Sequence, residues 1–151
     1  MTDHTDAHIL TSLTYASRAN PDVNSKDLEL ILEQARHNNT NNGITGMLTF
    51  NREYFLQTIE GPRAEINRLL QVLLSDTRHH DLQVLEVGEV KIREWAKWSM
   101  NYAAPTPDNQ ATYLKYSTTV DFNPYLLNSE SARLLLKELN IKNERLSATS
   151  N

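Results

Sequence analysis

The apolar positions of this chain alternate between two periods. Over residues 9–16, ILTSLTYA, Ile9, Leu13 and Tyr15 share one face with Thr11 between them, the period-two pattern of a strand. A turn-forming segment, SRANPDVN, follows. Asn24 then reads as an N-cap with Asp27 at N3, and Leu28, Ile31, Leu32 and Ala35 recur at helical spacing. The run HNNTNNG is expected to end that helix, because Asn and Gly favour termination. ITGMLTF (44–50) and EYFLQTIEG (53–61) predict two strands joined tightly at Asn51-Arg52 as a hairpin. Gly61-Pro62 stops the second of these and opens a helix with Pro62 in its first turn, and Ile66, Leu69, Leu70 and Leu73 mark that helix's apolar face. The polar SDTRHHD ends it. LQVLEVGEV (82–90) predicts a fourth strand and, after a short helix or turn at 92–97, WSMNYA predicts a short fifth.

This order, β-α-β-β-α-β-β, predicts an α+β ferredoxin-like sandwich: a five-stranded mixed sheet with two helices on one face. Pro105 and Pro107 mark a boundary. Beyond it a short helix is expected at 108–117 and a stronger one at 129–141, where Ala132, Leu135, Leu136 and Leu139 need a partner. The uncovered side of the sheet is the obvious one, so the C-terminal helices are placed on or near the other face. The expected division is a disordered N-terminus (1–8), a domain (9–104), a C-terminal helical extension (105–142) and a polar, disordered tail (143–151).

Composition narrows the classes. The 151 residues are 39% hydrophobic and 23% charged, which suits one soluble domain. The absence of cysteine removes disulfides, Cys-ligated zinc, iron–sulfur clusters and thiol catalysis together. With a net charge of −4 and no dense Lys/Arg cluster, no nucleic-acid partner is expected. No apolar run approaches the roughly 20 residues of a membrane span. The start, MTDHTDAH, is neither a signal peptide nor a basic targeting helix, so a cytoplasmic location is expected. The histidines are scattered, and His79-His80, adjacent at a helix end, cannot readily face one ion, so no metal site is expected.

One polar position breaks the pattern. Gln57 has the parity of Phe55 and Ile59, so a primary amide sits on a face meant for a core. Leaving such an amide unpaired costs about 1–3 kcal/mol. In the expected topology the first and third strands are central neighbours, which brings Tyr15 and Gln57 beneath the helices, close to Asn38 and Asn39. Singly, each has a structural explanation: a core tyrosine, a rim glutamine, asparagines at a helix terminus, and Trp98 and Met100 as packing. Together they outline an uncharged cleft for a flat molecule with donors and acceptors on its edge.

Tyr15, the asparagine run before NGITGML, FLQTIEG, DTRHH and WSM resemble, in order and spacing, the BLUF domain, the family of blue-light sensors using FAD. The resemblance covers residues 9–104, and the C-terminal region is similar to the two-helix extension of short, single-domain members with no attached catalytic module. It implies that FAD lies between the two helices with its ring against the sheet. Tyr15 would then give an electron and a proton to the excited flavin, and Gln57 would bridge the phenol and the flavin N5/O4 edge; these two are the photoactive pair. Asn39 would bind the C4 carbonyl and N3 edge with Asn38 adjacent, and Ile31 would pack on the ring. Asp76, Arg78 and His79 would help to build the pocket. Met100 would approach Gln57 from the last strand, with Trp98 nearby. Val72 stands where some members carry an arginine. The resemblance further implies no enzymatic activity. It implies a relay through Met100 and Trp98 to the C-terminal helices, and output to a downstream signalling protein or through a homo-oligomer. Two alternatives stay open: a ferredoxin-like protein-interaction module without photochemistry, and a flavin-dependent oxidoreductase. The second lacks a Gly-rich dinucleotide loop and an acid–base pair.

Overall fold

A computed structural model describes residues 8–97, 99–104 and 106–149, with side chains up to residue 142. Strands β1 (Leu10–Ala19), β2 (Thr45–Phe50), β3 (Tyr54–Pro62), β4 (His79–Glu89) and β5 (Asn101–Ala103) form one mixed sheet in the order β4–β1–β3–β2–β5. The first four are mutually antiparallel, and β5 adds to β2 in parallel. Helices α1 (Ser25–Asn42) and α2 (Arg63–Ser75) pack on one face. Helix α3 (Pro107–Tyr116), a 3-10 turn at Pro124–Leu126 and helix α4 (Ser129–Thr149) complete the chain. This is the expected ferredoxin-like sandwich with a fifth strand.

The sheet separates two apolar cores. On the α1/α2 side, Leu13, Leu48, Phe55, Ile59 and Met100 meet Leu32 and Ile66. On the other side, Met47, Leu56 and Ala103 meet Ala132, Leu135, Leu136 and Leu139 of α4, with Tyr113, Phe122 and Trp95. Strand alternation produces this division, because consecutive residues of β2 and β3 project to opposite faces. The helical leucines of the extension therefore find the partner that their spacing demands.

Several boundaries differ from expectation. Helix α1 starts at a capping box, with Asn24 Oδ1 accepting from the Asp27 amide and Asp27 Oδ2 accepting from the Asn24 amide. It runs on through the asparagines to Asn42 and stops at Gly43, whose φ of 70° is left-handed and whose amide donates to the Asn39 carbonyl. Asn38 and Asn39 are thus helix residues, not turn residues. The β2–β3 connection spans three residues, with Arg52 at a φ of 79° and Asn51 Oδ1 accepting from the Glu53 and Tyr54 amides. Pro62 sits at the N-cap of α2 instead of inside its first turn. His79 and His80 begin β4, because DTRHH crosses directly into the ladder beside β1. Strand β5 is confined to Asn101–Ala103, with Met100 just ahead of it. Residues 143–149, expected in a disordered tail, continue α4, since NERLSAT contains helix formers and neither Gly nor Pro. The β1–β4 ladder carries two register breaks, between Thr14 and Tyr15 and between Ala16 and Arg18. Residues 1–7, expected to be disordered, and the boundary residue Pro105 lie outside the described residues.

Candidate functional site

Tyr15 and Gln57 are paired across the β1–β3 ladder, and both project to the α1/α2 side. The Tyr15 hydroxyl donates to Gln57 Oε1, and Gln57 Nε2 donates to the Met100 sulfur at 3.4 Å. The burial is nearly complete, with Tyr15 at 3% and Gln57 at 7% exposure. Burial, and secondarily the negative charge of Asp76, push the Tyr15 phenol above its ordinary pKa. The group is therefore a neutral donor at physiological pH. The amide that looked misplaced in an apolar face has a phenol at its oxygen and a thioether at its nitrogen.

These two residues floor a cleft of about 140 Å³ between α1 and α2. Ile31, Asn38 and Asn39 line it from α1, and Asp76, Arg78 and His79 line its other side. Eight of the ten residues singled out from sequence are thus brought to one cleft. Met100 reaches the site through its bond to Gln57 and is not part of the cleft wall. Trp98 lies outside the described residues.

The cleft has an uncharged interior and a charged rim. Asn39 is buried, and its Nδ2 donates to the Ser99 carbonyl at 2.7 Å. At the rim, Arg78 forks onto Asp76, with contacts of 3.0 Å from Nε and 2.6 Å from Nη2, and reaches Gln34 of α1 at 3.2 Å. The guanidinium holds the Asp76 carboxyl below the usual carboxylate range. His79 ties β4 to both neighbours: Nε2–H donates to the Leu73 carbonyl of α2 at 2.6 Å, which leaves Nδ1 to meet the Ser17 hydroxyl at 2.7 Å.

The sequence reading missed Gln34, Ala35, Leu48, Phe55, Leu69 and Leu73, which also line the cleft. Helical spacing carried the signal for most of them. Gln34 and Ala35 follow Ile31 at i+3 and i+4, and Leu73 follows Leu69 at i+4.

The donor set fits the group that the sequence resemblance implies. At about 10–15 Å³ per water position, the cleft has room for roughly ten waters, enough bulk for a flat tricycle. Its apolar walls suit ring faces, and its amides and phenol suit a ring edge. Among the described residues, no buried side-chain nitrogen or oxygen is left without a partner.

A family model described as sensors of blue light using FAD matches residues 10–101. Photoactivated adenylate cyclase subunit beta of Euglena longa is 32% identical over 69% of this chain and 12% of its own length. The blue light- and temperature-regulated antirepressor BluF of Escherichia coli (strain K12) is 29% identical over 61% of this chain and 23% of its own. The chain therefore spans less than a quarter of the length of these two curated relatives. The structure of BlsA in its photo-activated state matches with a TM-score of 0.79 at 31% identity, covering 87% of this chain and 94% of BlsA. The dark-state structure of BlrB matches with a TM-score of 0.62 at 34% identity, covering 64% and 73%. Sequence match and shared fold thus coincide on the segment that builds the cleft, and this chain belongs to the BLUF family, the sensors of blue light using FAD.

Proposed function

We propose that this protein is a blue-light photoreceptor that holds FAD in the α1/α2 cleft and reads light through Tyr15 and Gln57. The observation that carries the proposal is the bond from the Tyr15 hydroxyl to Gln57 Oε1 on the cleft floor. When bound, the flavin supplies blue absorption and, once excited, a strong oxidant. Tyr15 is the electron and proton source; its raised pKa keeps the proton on the phenol oxygen until it is oxidised. Gln57 is the adapter. Its two ends have opposite hydrogen-bonding character, so rotation or tautomerisation of the amide exchanges a donor for an acceptor while the surrounding rings stay in place. Asn39, tied by Nδ2 to Ser99, presents its Oδ1 as an acceptor, and Asn38, Ile31, Asp76, Arg78 and His79 complete the holding set.

Each neutral hydrogen bond exchanged is worth roughly 1 kcal/mol, so the switch biases a balanced equilibrium and does not force a large motion. Met100 contacts Gln57 and leads directly into β5, which supports reading this segment, with Trp98, as the start of a relay towards the C-terminal helices. The relatives named for a cyclase and for an antirepressor deliver different outputs, so the sensing step is what they share with this chain. Here the output is proposed to be a change in affinity for a downstream signalling protein or for a second copy, without catalysis by the domain itself.

The test is an absorption spectrum of the full-length protein before and after blue light. The expected result is a yellow protein whose flavin band moves to longer wavelength on illumination and returns in the dark. Colourless protein that releases no flavin on denaturation overturns the proposal.

A further inference from the structure

Strands β4 and β5 lie at opposite edges of the sheet, so residues 90–100 must cross it. Four strand spacings of about 4.8 Å make that crossing roughly 19 Å. The connection also changes layer. Trp95, 2% exposed, is buried in the core beneath α4, whereas Met100, only five residues later, is buried in the core beneath α1 and α2.

One side chain grips this strap midway. Glu60 of β3 is 2% exposed and projects to the α4 side. Its Oε1 accepts from the Glu94 amide at 3.1 Å and the Trp95 amide at 2.9 Å, and Oε2 accepts from the Glu94 amide at 2.9 Å. A carboxylate this buried persists only where donors replace its water. Arg93 fastens the same point from the strap: its guanidinium donates to the Glu60 carbonyl at 3.2 Å, Thr45 Oγ1 at 2.9 Å and the Gly43 carbonyl at 2.7 Å. Past Trp95 the strap is also held by α1, through Asn39 Nδ2 to the Ser99 carbonyl and Arg36 Nε to the Met100 carbonyl at 3.0 Å. Glu60 is also three residues along β3 from Gln57. Strand and strap thus form a closed loop: Gln57 to Glu60 by covalent chain, Glu60 to Trp95 by hydrogen bond, Trp95 to Met100 by chain, and Met100 back to Gln57 by hydrogen bond.

We propose that Glu60 is a positioning residue that sets the Met100 sulfur against Gln57 and couples that contact to the core beneath α4. The proposal rests on the photoreceptor reading for its consequence but not for its geometry. Removing the carboxylate takes the acceptors from the buried Trp95 amide and the part-buried Glu94 amide and frees the strap to shift, and the end of the strap is Met100. The charged groups facing Glu60 are Arg93 and Glu94 on the strap, with Glu86 and Glu89 of β4, Lys91, and Arg133 of α4 around the same groove. Arg133 is 3.4 Å from Glu94.

The test uses the full-length, flavin-loaded protein in the dark, labelled at methionine methyls and backbone amides. The sequence holds three methionines, so Met100→Leu identifies the Met100 signal. Glu60→Gln is expected to move that signal and to accelerate dark recovery about fivefold, the factor that loss of one hydrogen bond gives, while retaining the light-induced red shift. A folded Glu60→Gln protein with an unmoved Met100 methyl and unchanged recovery overturns the proposal. Should that variant not fold, the wild-type protein is titrated towards acid. The Glu94 and Trp95 amide signals follow protonation of Glu60, and the Met100 methyl must move with the same midpoint; a still methyl, or one with a different midpoint, overturns the proposal. Absence of a red shift in the wild-type protein would instead remove the photoreceptor reading and leave the Met100 result standing.

Discussion

The Tyr15 hydroxyl donates to Gln57 Oε1, and the same two residues face each other across the β1–β3 ladder. Facing residues in an antiparallel pair hold their Cβ atoms about 4.5–5.5 Å apart, so the backbone register itself sets this contact. Tyr15→Phe and Gln57→Leu should therefore each leave the cleft intact and retain flavin, yet lose the light-induced red shift. Tyr15→Phe removes one buried hydrogen bond, a stability cost of about 0.5–1.5 kcal/mol. Difference spectra and denaturant melts check both parts. A normal photocycle in Gln57→Leu would remove the amide from its assigned role.

Gly46 in β2 has no space for a side chain. A Cβ there would lie 2.4 Å from the Thr58 carbonyl oxygen and 3.2 Å from the Met100 methyl. The carbonyl belongs to the neighbouring strand's backbone and cannot swing aside. Gly46→Ala should cost at least the ~1–3 kcal/mol typical of overpacking, visible as a lowered denaturant midpoint. A melt within error of wild type would show that β2 and β3 separate more easily than their ladder implies.

Asn101 Nδ2 donates to Asn140 Oδ1, joining the start of β5 to α4. Asn140 is buried and its amide oxygen takes its donor from Asn101, whose own Oδ1 accepts from the Tyr102 amide at 2.9 Å. A double-mutant cycle with Asn101→Ala and Asn140→Ala should return a coupling of about 1 kcal/mol. Strictly additive losses would mean that β5 and α4 are held together by apolar contact alone.

Alkaline titration should expose the buried phenols. Burial raises Tyr15 above its ordinary value, pushes Tyr102 up to about 12, and raises Tyr113 as well. In the unfolded chain these groups lose their protons near the ordinary value of 10. Above that pH the unfolded state binds fewer protons than the folded one, so stability falls as pH rises, while below about 10 the contribution is fully present. Phenolate absorbance followed beside a denaturation curve measures this. Full ionisation of all tyrosines near pH 10 with the fold intact would contradict the burial.

Much of the site was legible because strand parity is local. Phe55, Gln57 and Ile59 must share a face whatever surrounds them, and so must Leu13 and Tyr15. The leucines of 132–139 likewise announced a second covered face. Asn38 and Asn39 were harder. Their intrinsic preference is to end a helix, but tertiary contacts override it: the Asn39 amide is held by Ser99, sixty residues away, and termination falls to Gly43. Glu60 was visible only as part of a motif. Its role depends on amides 34 and 35 positions further along, a meeting that no periodicity encodes. The brevity of β5 has the same origin, since the strap spends the residues before Asn101 on the layer change.

The paired irregularities between β1 and β4 bear on how copies of this chain can meet. Strand β4 is eleven residues long, lies at the rim of the sheet and carries the outward valines Val84 and Val87, features that invite edge-to-edge recruitment of a further strand. Two slips in spacing bend that rim, and Asp81, at a φ of 54°, bends it again near its beginning. A crooked rim offers no continuous template for amide-to-carbonyl zippering. Fibre-like growth of the sheet by addition at this rim is thereby disfavoured.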